Sequence, residues 1–112
     1  MSQDTNDKEL LVLAAKAAGC DVVWKRGMHQ GDPHEGLFDR ATGYPTTWNP
    51  IHDDGDALRL AVKLGMLFTY MHDRFEMFQL YYWQELNNDL QPSEATRRAI
   101  VRVAEAIGKE MP

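Results

Sequence analysis

A dense run of apolar and aromatic residues at positions 75–83 constrains the fold of this 112-residue chain more than any other feature. Every residue of the run except Glu76 and Gln79 is apolar or aromatic. Read as a strand, in which successive side chains point to opposite sides, the run is apolar on both faces. Such a strand must be covered on both sides, so the run predicts the centre of a sheet between two helical layers.

The residues before this run favour a β-hairpin. Residues 66–71 are also mostly apolar, and the three residues between the two runs match a short hairpin loop. Two further short strands are predicted earlier in the chain, over residues 21–26 and residues 36–41. The expected sheet is therefore mainly antiparallel, with three to four strands.

Two helices are predicted before the hairpin. The first covers residues 7–18, because Asn6 and Glu9 have the spacing of a capping box ahead of apolar residues at helical spacing. The second covers residues 54–64, where acidic residues precede a broad apolar face and Gly65 supplies a stop.

A third helix is predicted over residues 93–109, with Ser93 as its N-cap. Its apolar residues fall on one face at helical spacing and include several alanines, which allow close packing. Arg97, Arg98 and Arg102 fall mainly on the opposite face. The pattern therefore predicts a basic face that points to solvent.

Together these elements predict one domain over residues 1–112. The expected fold is α+β, a three-layer α/β/α sandwich in which three helices cover a mainly antiparallel sheet of three to four strands.

The charge pattern excludes one class of partner. The net charge is −5, and residues 29–91 alone hold ten acidic against four basic residues. An acidic segment repels phosphate backbones, so direct binding to DNA or RNA is not expected. A basic protein partner fits this charge better.

The number of cysteines and the length of the apolar runs predict the cellular compartment of the protein. The single Cys20 cannot form a disulfide within the chain, which fits a reducing compartment. The longest purely apolar run, residues 10–15, is too short to span a membrane. We therefore expect a cytoplasmic protein without membrane association.

Three segments resemble a known group of proteins. They are LLVLAAKAAG at residues 10–19, WNP at 48–50 followed by DDGDALRLAV at 53–62, and EATRRAIV at 94–101. In order and spacing they are similar to small tailed-phage and prophage proteins of the phage alpha-beta-alpha sandwich and NinX-like families. The resemblance implies a three-layer fold, a phage or prophage origin and residence in the cytoplasm of a bacterial host. It brings no established active site.

The candidate binding residues lie in the acidic middle of the chain. Tyr44 and Trp48 offer aromatic surface for a partner or a stacked base. Asp53, Asp54 and Asp56 follow closely. They could bind a partner or a cation, although capping of the helix at 54–64 explains them more simply.

A second group of residues could hold a metal. His29, Asp32 and His34 offer two imidazoles and a carboxylate within a short loop, but their spacing matches no standard metal motif. A polar loop is the simpler interpretation, and no cofactor is expected.

Three functions follow from these observations. The first is a non-enzymatic phage accessory protein that binds and inhibits a host protein of a defence or regulatory system. The alternative is a small-molecule or nucleotide-signal binding protein, and the weakest is a metal-dependent hydrolase that uses His29, Asp32 and His34. A homodimer could also form if the arginine face of one copy met the acidic middle of another.

Overall fold

Helices dominate residues 3–26, 35–67 and 72–112, which this computed structural model describes. In chain order the elements are α1 (Gln3–Ala18), β1 (Val22–Arg26), β2 (Glu35–Asp39), α2 (Asp54–Leu64), α3 (His72–Asn87) and α4 (Pro92–Glu110). The predicted three-layer sandwich is therefore wrong. In these ranges the fold has four helices and one two-stranded sheet, where three helices around three to four strands were expected.

Helix α4 lies at the centre and packs against α1, α2 and α3. Small and β-branched residues are buried along it, because a helix with several neighbours has little surface left for water. They are Ala95, Ala99, Ile100, Val101, Val103, Ala104 and Gly108. The predicted helix over residues 93–109 is confirmed, and its alanines do permit close packing, but against helices instead of a sheet.

The sheet is a single antiparallel hairpin of β1 and β2. Val22 lies opposite Asp39 and Trp24 opposite Leu37. The strands predicted over residues 21–26 and 36–41 are confirmed, with small shifts in their ends. The hairpin packs against α1, and Leu37 joins the same buried cluster as the helices.

The hairpin predicted from residues 66–71 and 75–83 is wrong. Met66 and Leu67 form a turn after α2, residues 68–71 lie outside the described residues, and residues 75–83 belong to α3. The dense run therefore forms a helix at the edge of the fold and not the central strand of a sheet.

The composition, the spacing of the inward residues and the length of the element explain why residues 75–83 form a helix. The run is so rich in apolar residues that it matches both a period of two and a period of 3.6. Its inward positions are Met77, Phe78, Tyr81 and Glu85, and this spacing is helical. The helix is 16 residues long without glycine or proline, whereas strands are usually about five or six residues long.

The ends of α2 match the prediction. Asp53 is the N-cap, and its carboxylate accepts a hydrogen bond from the backbone N–H of Asp56 at 2.7 Å. Gly65 ends the helix in the left-handed conformation at φ 69°, and its N–H donates to the carbonyls of Ala61 and Val62.

The starts of α1 and α4 differ from the prediction. Helix α1 begins at Gln3, so Asn6 lies inside the helix and the proposed cap at Asn6 is wrong. Helix α4 begins at Pro92 with Gln91 as its N-cap, so the assignment of Ser93 as N-cap is also wrong. Proline suits the first position of a helix for two reasons. Its fixed φ is helical, and the backbone N–H that proline lacks would find no acceptor within the helix at that position.

None of the helices within these described ranges has both the length and the apolar character that crossing a bilayer requires.

Gly108 is where α4 approaches α1 most closely among the described glycines. A Cβ added at Gly108 would lie 2.9 Å from the carbonyl carbon of Leu13 and closer still to its oxygen. We therefore expect Gly108→Ala to lower the free energy of unfolding by about 1 to 3 kcal/mol, measured by urea denaturation, because backbone cannot move aside as a side chain can.

Gly55→Ala is the matched control. The new Cβ there would lie 3.2 Å from the end of the flexible Arg59 side chain and 3.2 Å from the Asp53 carboxylate. The free energy of unfolding should change by no more than about 0.5 kcal/mol. Equal losses in the two variants would contradict the close approach of α4 to α1.

Candidate protein-binding surface

One side of α3 presents large apolar side chains to solvent. Leu80 is 57% exposed and Trp83 is 62% exposed. Glu76 lies one turn before Leu80 on the same side. We call Glu76, Leu80 and Trp83 the α3 surface.

The residues on the opposite side of α3 face the core and so leave Leu80 and Trp83 on the outside. Met77, Phe78 and Tyr81 pack against the core, and Glu85 is buried. Because α3 is apolar on more than one side but packs chiefly against α4, part of its apolar residues stay uncovered.

Neighbouring aromatic rings support Trp83. The ring of Tyr82 meets that of Trp83 edge to face, with centroids 5.6 Å apart. Tyr82 also stacks on Phe78, with centroids 6.3 Å apart and planes at 28°. These contacts restrict the exposed indole, so that less side-chain freedom is lost when a partner covers it.

The charged groups around the α3 surface are acidic. Asp73 and Glu76 are exposed, and His72 Nε2 lies 3.0 Å from Glu76 Oε1. Arg74, the one arginine of α3, is partly buried and donates to the carbonyl of Leu64 at 2.7 Å. The surface therefore presents carboxylates beside its apolar residues.

A buried ionic network sets the orientation of α3. Arg102 donates to Glu85 Oε1 at 3.1 Å, and its guanidinium carbon lies 4.1 Å from the ring centroid of Tyr81. Arg98 Nε lies 3.9 Å from Glu85 Oε2. Arg98 also donates to Asp7 of α1 at 2.9 Å, so the network joins α1, α3 and α4.

The predicted solvent-facing arginine face is therefore wrong. The side chains of Arg97, Arg98 and Arg102 are only 19%, 12% and 29% exposed. Arg97 donates to the carbonyl of Ile51 at 2.8 Å and to Asp54 at 2.7 Å. All three guanidinium groups thus bind groups of their own chain, and a homodimer through this face stays a prediction.

The three predicted binding aspartates also make internal contacts. Asp53 caps α2, as the simpler interpretation held. Asp54 accepts from Arg97, and Asp56 accepts from the backbone N–H of Asn49 at 2.9 Å. These carboxylates therefore hold α2 against α4 and against the loop before α2.

The two predicted aromatic binding residues differ in their exposure to solvent. Tyr44 is 73% exposed in the loop after β2, whereas Trp48 is half-buried and packs against the core. No structural observation tests a binding role for either residue, so that role stays a prediction.

The metal candidates His29, Asp32 and His34 lie outside the described residues. Within the described part of the chain, no group of three or more histidine, cysteine, aspartate or glutamate residues is placed to hold a metal ion. Cys20 is a half-buried free thiol.

Sequence reasoning missed the α3 surface because it assigned residues 75–83 to a strand. One signal was available: at helical spacing, Leu80 and Trp83 fall on the side of the run that also holds Glu76 and Gln79. The arginine network had no such signal, since its acidic partners are distant in sequence.

Comparison of the chain with known protein families, curated proteins and solved structures gives no match. The resemblance to the phage alpha-beta-alpha sandwich and NinX-like proteins therefore stays a prediction.

The ionic network generates a stability prediction. Glu85→Gln should lower the free energy of unfolding by about 3 kcal/mol, because Arg98 and Arg102 would lose the carboxylate between them while staying largely buried. Chemical denaturation measures the loss.

Glu76→Gln provides the matched control on the same helix. Its side chain is 62% exposed and pairs with His72, so the change should stay within about 0.5 kcal/mol. The role given to Glu85 would be refuted by a loss no larger than that of the control.

Proposed function

We propose that the protein is a small non-enzymatic phage or prophage accessory protein. It binds and inhibits a host protein of a defence or regulatory system in the bacterial cytoplasm. The phage origin and the compartment rest on the resemblance of the three segments in residues 10–19, 48–62 and 94–101. The binding role rests on the α3 surface.

The observation that carries the binding role is the exposure of Leu80 and Trp83 on one side of α3. Apolar side chains in water add little to folding stability, but each contributes when a partner removes it from solvent. Tryptophan is among the residues that contribute most to protein interfaces. A supported indole beside a leucine is therefore a suitable anchor for a protein partner.

The charge of the surface favours a basic partner. Asp73 and Glu76 flank the apolar residues, and the whole chain carries −5. Attraction between this acidic side and a basic site speeds association and selects among partners. Covering a basic surface, such as one that binds nucleic acid, would block the host protein's own activity.

Site-specific photo-crosslinking in bacterial cells tests the proposal. A photo-reactive phenylalanine analogue in place of Trp83 should link the protein to one host protein in stoichiometric amount. The same analogue in place of Leu58 of α2, which is 55% exposed, is the control and should not link to that protein. Absence of any host adduct from position 83 would overturn the proposal, as would identical adducts from both positions.

A matched pair of alanine variants gives the energetic prediction. Trp83→Ala should weaken binding to the cross-linked host protein by about 2 kcal/mol, as expected for a tryptophan at the centre of an interface. Leu58→Ala, at the exposed control position on α2, should leave binding unchanged. Calorimetry of the purified pair measures both, and equal effects would place the interface elsewhere.

A further inference from the structure

A groove lies between the start of α3 and the end of α4, next to the α3 surface. Its volume is about 520 Å³. Its apolar lining comes from Met77, Ala106, Ile107 and Met111. Asp73, Arg74 and Glu110 also line it. We call these seven residues the α3–α4 groove.

The groove and the α3 surface lie next to each other along α3. Met77 in the groove and Leu80 on the surface are three residues apart, so their side chains are neighbours along α3. From Asp73 to Trp83 the helix rises about 15 Å, or nearly three turns. A helix that offers apolar residues at positions i, i+3 or i+4, and i+7 covers a length of this order.

We infer that the segment bound here is a basic amphipathic helix of the partner protein, with its apolar side in the α3–α4 groove and against Leu80 and Trp83. The inference rests on the proposed function and adds the chemistry of the partner.

Charge favours this occupant. Asp73, Arg74 and Glu110 line the groove. Glu76 follows Asp73 by three residues on α3, which places it beside the groove. The guanidinium of Arg74 is held by the Leu64 carbonyl at 2.7 Å, and the amine of Lys16 by the Met111 carbonyl at 2.9 Å. Asp73, Glu76 and Glu110 outnumber these two cations, and neither Asp73 nor Glu110 forms an ion pair with another described residue. The acidic groups can therefore attract lysine and arginine.

The shape and lining also favour a helix. The space is a groove open to solvent and not an enclosed cavity, so a small molecule would keep much of its surface in water, unlike in a typical ligand pocket. The two methionine side chains are flexible and polarizable, which suits them to packing against the irregular apolar side of a helix.

A synthetic helical peptide tests the inference. The probe is a peptide of about 18 residues made of leucine and lysine, with all leucines on one side. Controls are a peptide of the same composition in scrambled order and one with glutamate in place of lysine. Binding to the full chain is followed by tryptophan fluorescence, and we expect only the basic amphipathic peptide to bind.

Two charge reversals of equal size locate the site. Glu76→Lys should weaken binding of the basic peptide about tenfold, and raised salt should reduce this difference. Asp21→Lys changes the net charge equally at an exposed ion pair with Arg40 that does not line the groove and should change binding by less than about twofold. Equal effects of the two reversals would overturn the inference, as would equal binding of the scrambled or acidic peptide.

The outcomes also separate this inference from the proposed function. If Trp83 cross-links to a host protein through a segment that is neither basic nor helical, the proposed function stands and the inference is wrong. If the basic peptide binds as expected but no host adduct forms in cells, the groove has the inferred chemistry and the proposed function is wrong.

Discussion

The contact of Glu85 with Arg98 and Arg102 determines which side of α3 faces the protein. A buried carboxylate must keep its cationic partners, since an isolated charge in the interior is very unfavourable. With Glu85 turned inward, helical spacing also turns Tyr81, Phe78 and Met77 inward. Leu80 and Trp83 are then left on the outside. The exposed apolar side of α3 is therefore the counterpart of an inward side that holds this ionic contact together with three core-packed residues.

Some elements could be predicted because their signals are local. Asp53 and Gly65 bound α2 at the predicted positions, since capping depends on atoms within a few residues. Residues 75–83 failed because a run that is apolar at nearly every position has no single period. Its assignment to a helix depends on packing against α4, which is a tertiary contact that local patterns do not encode.

The candidate site shows the same limit. The aspartates before and in α2 looked like free ligands, but Asp54 binds Arg97, 43 residues away in the chain. Arg98 likewise binds Asp7 across 91 residues. Such pairs leave no spacing pattern, so the arginines looked solvent-facing. The α3 surface became visible only when the inward side of α3 was known.

The α3 surface and the α3–α4 groove lie on two consecutive helices. Helices α3 and α4 are joined by a short turn in which Asp89 adopts a left-handed conformation at φ 65°, one that aspartate tolerates better than most residues. The groove and its neighbouring side chains therefore belong to a single stretch of chain, residues 72–112. Under the proposed function, substitutions at the exposed side chains of this stretch can change which partner is bound, while the buried residues of α4 that contact α1 and α2 stay the same.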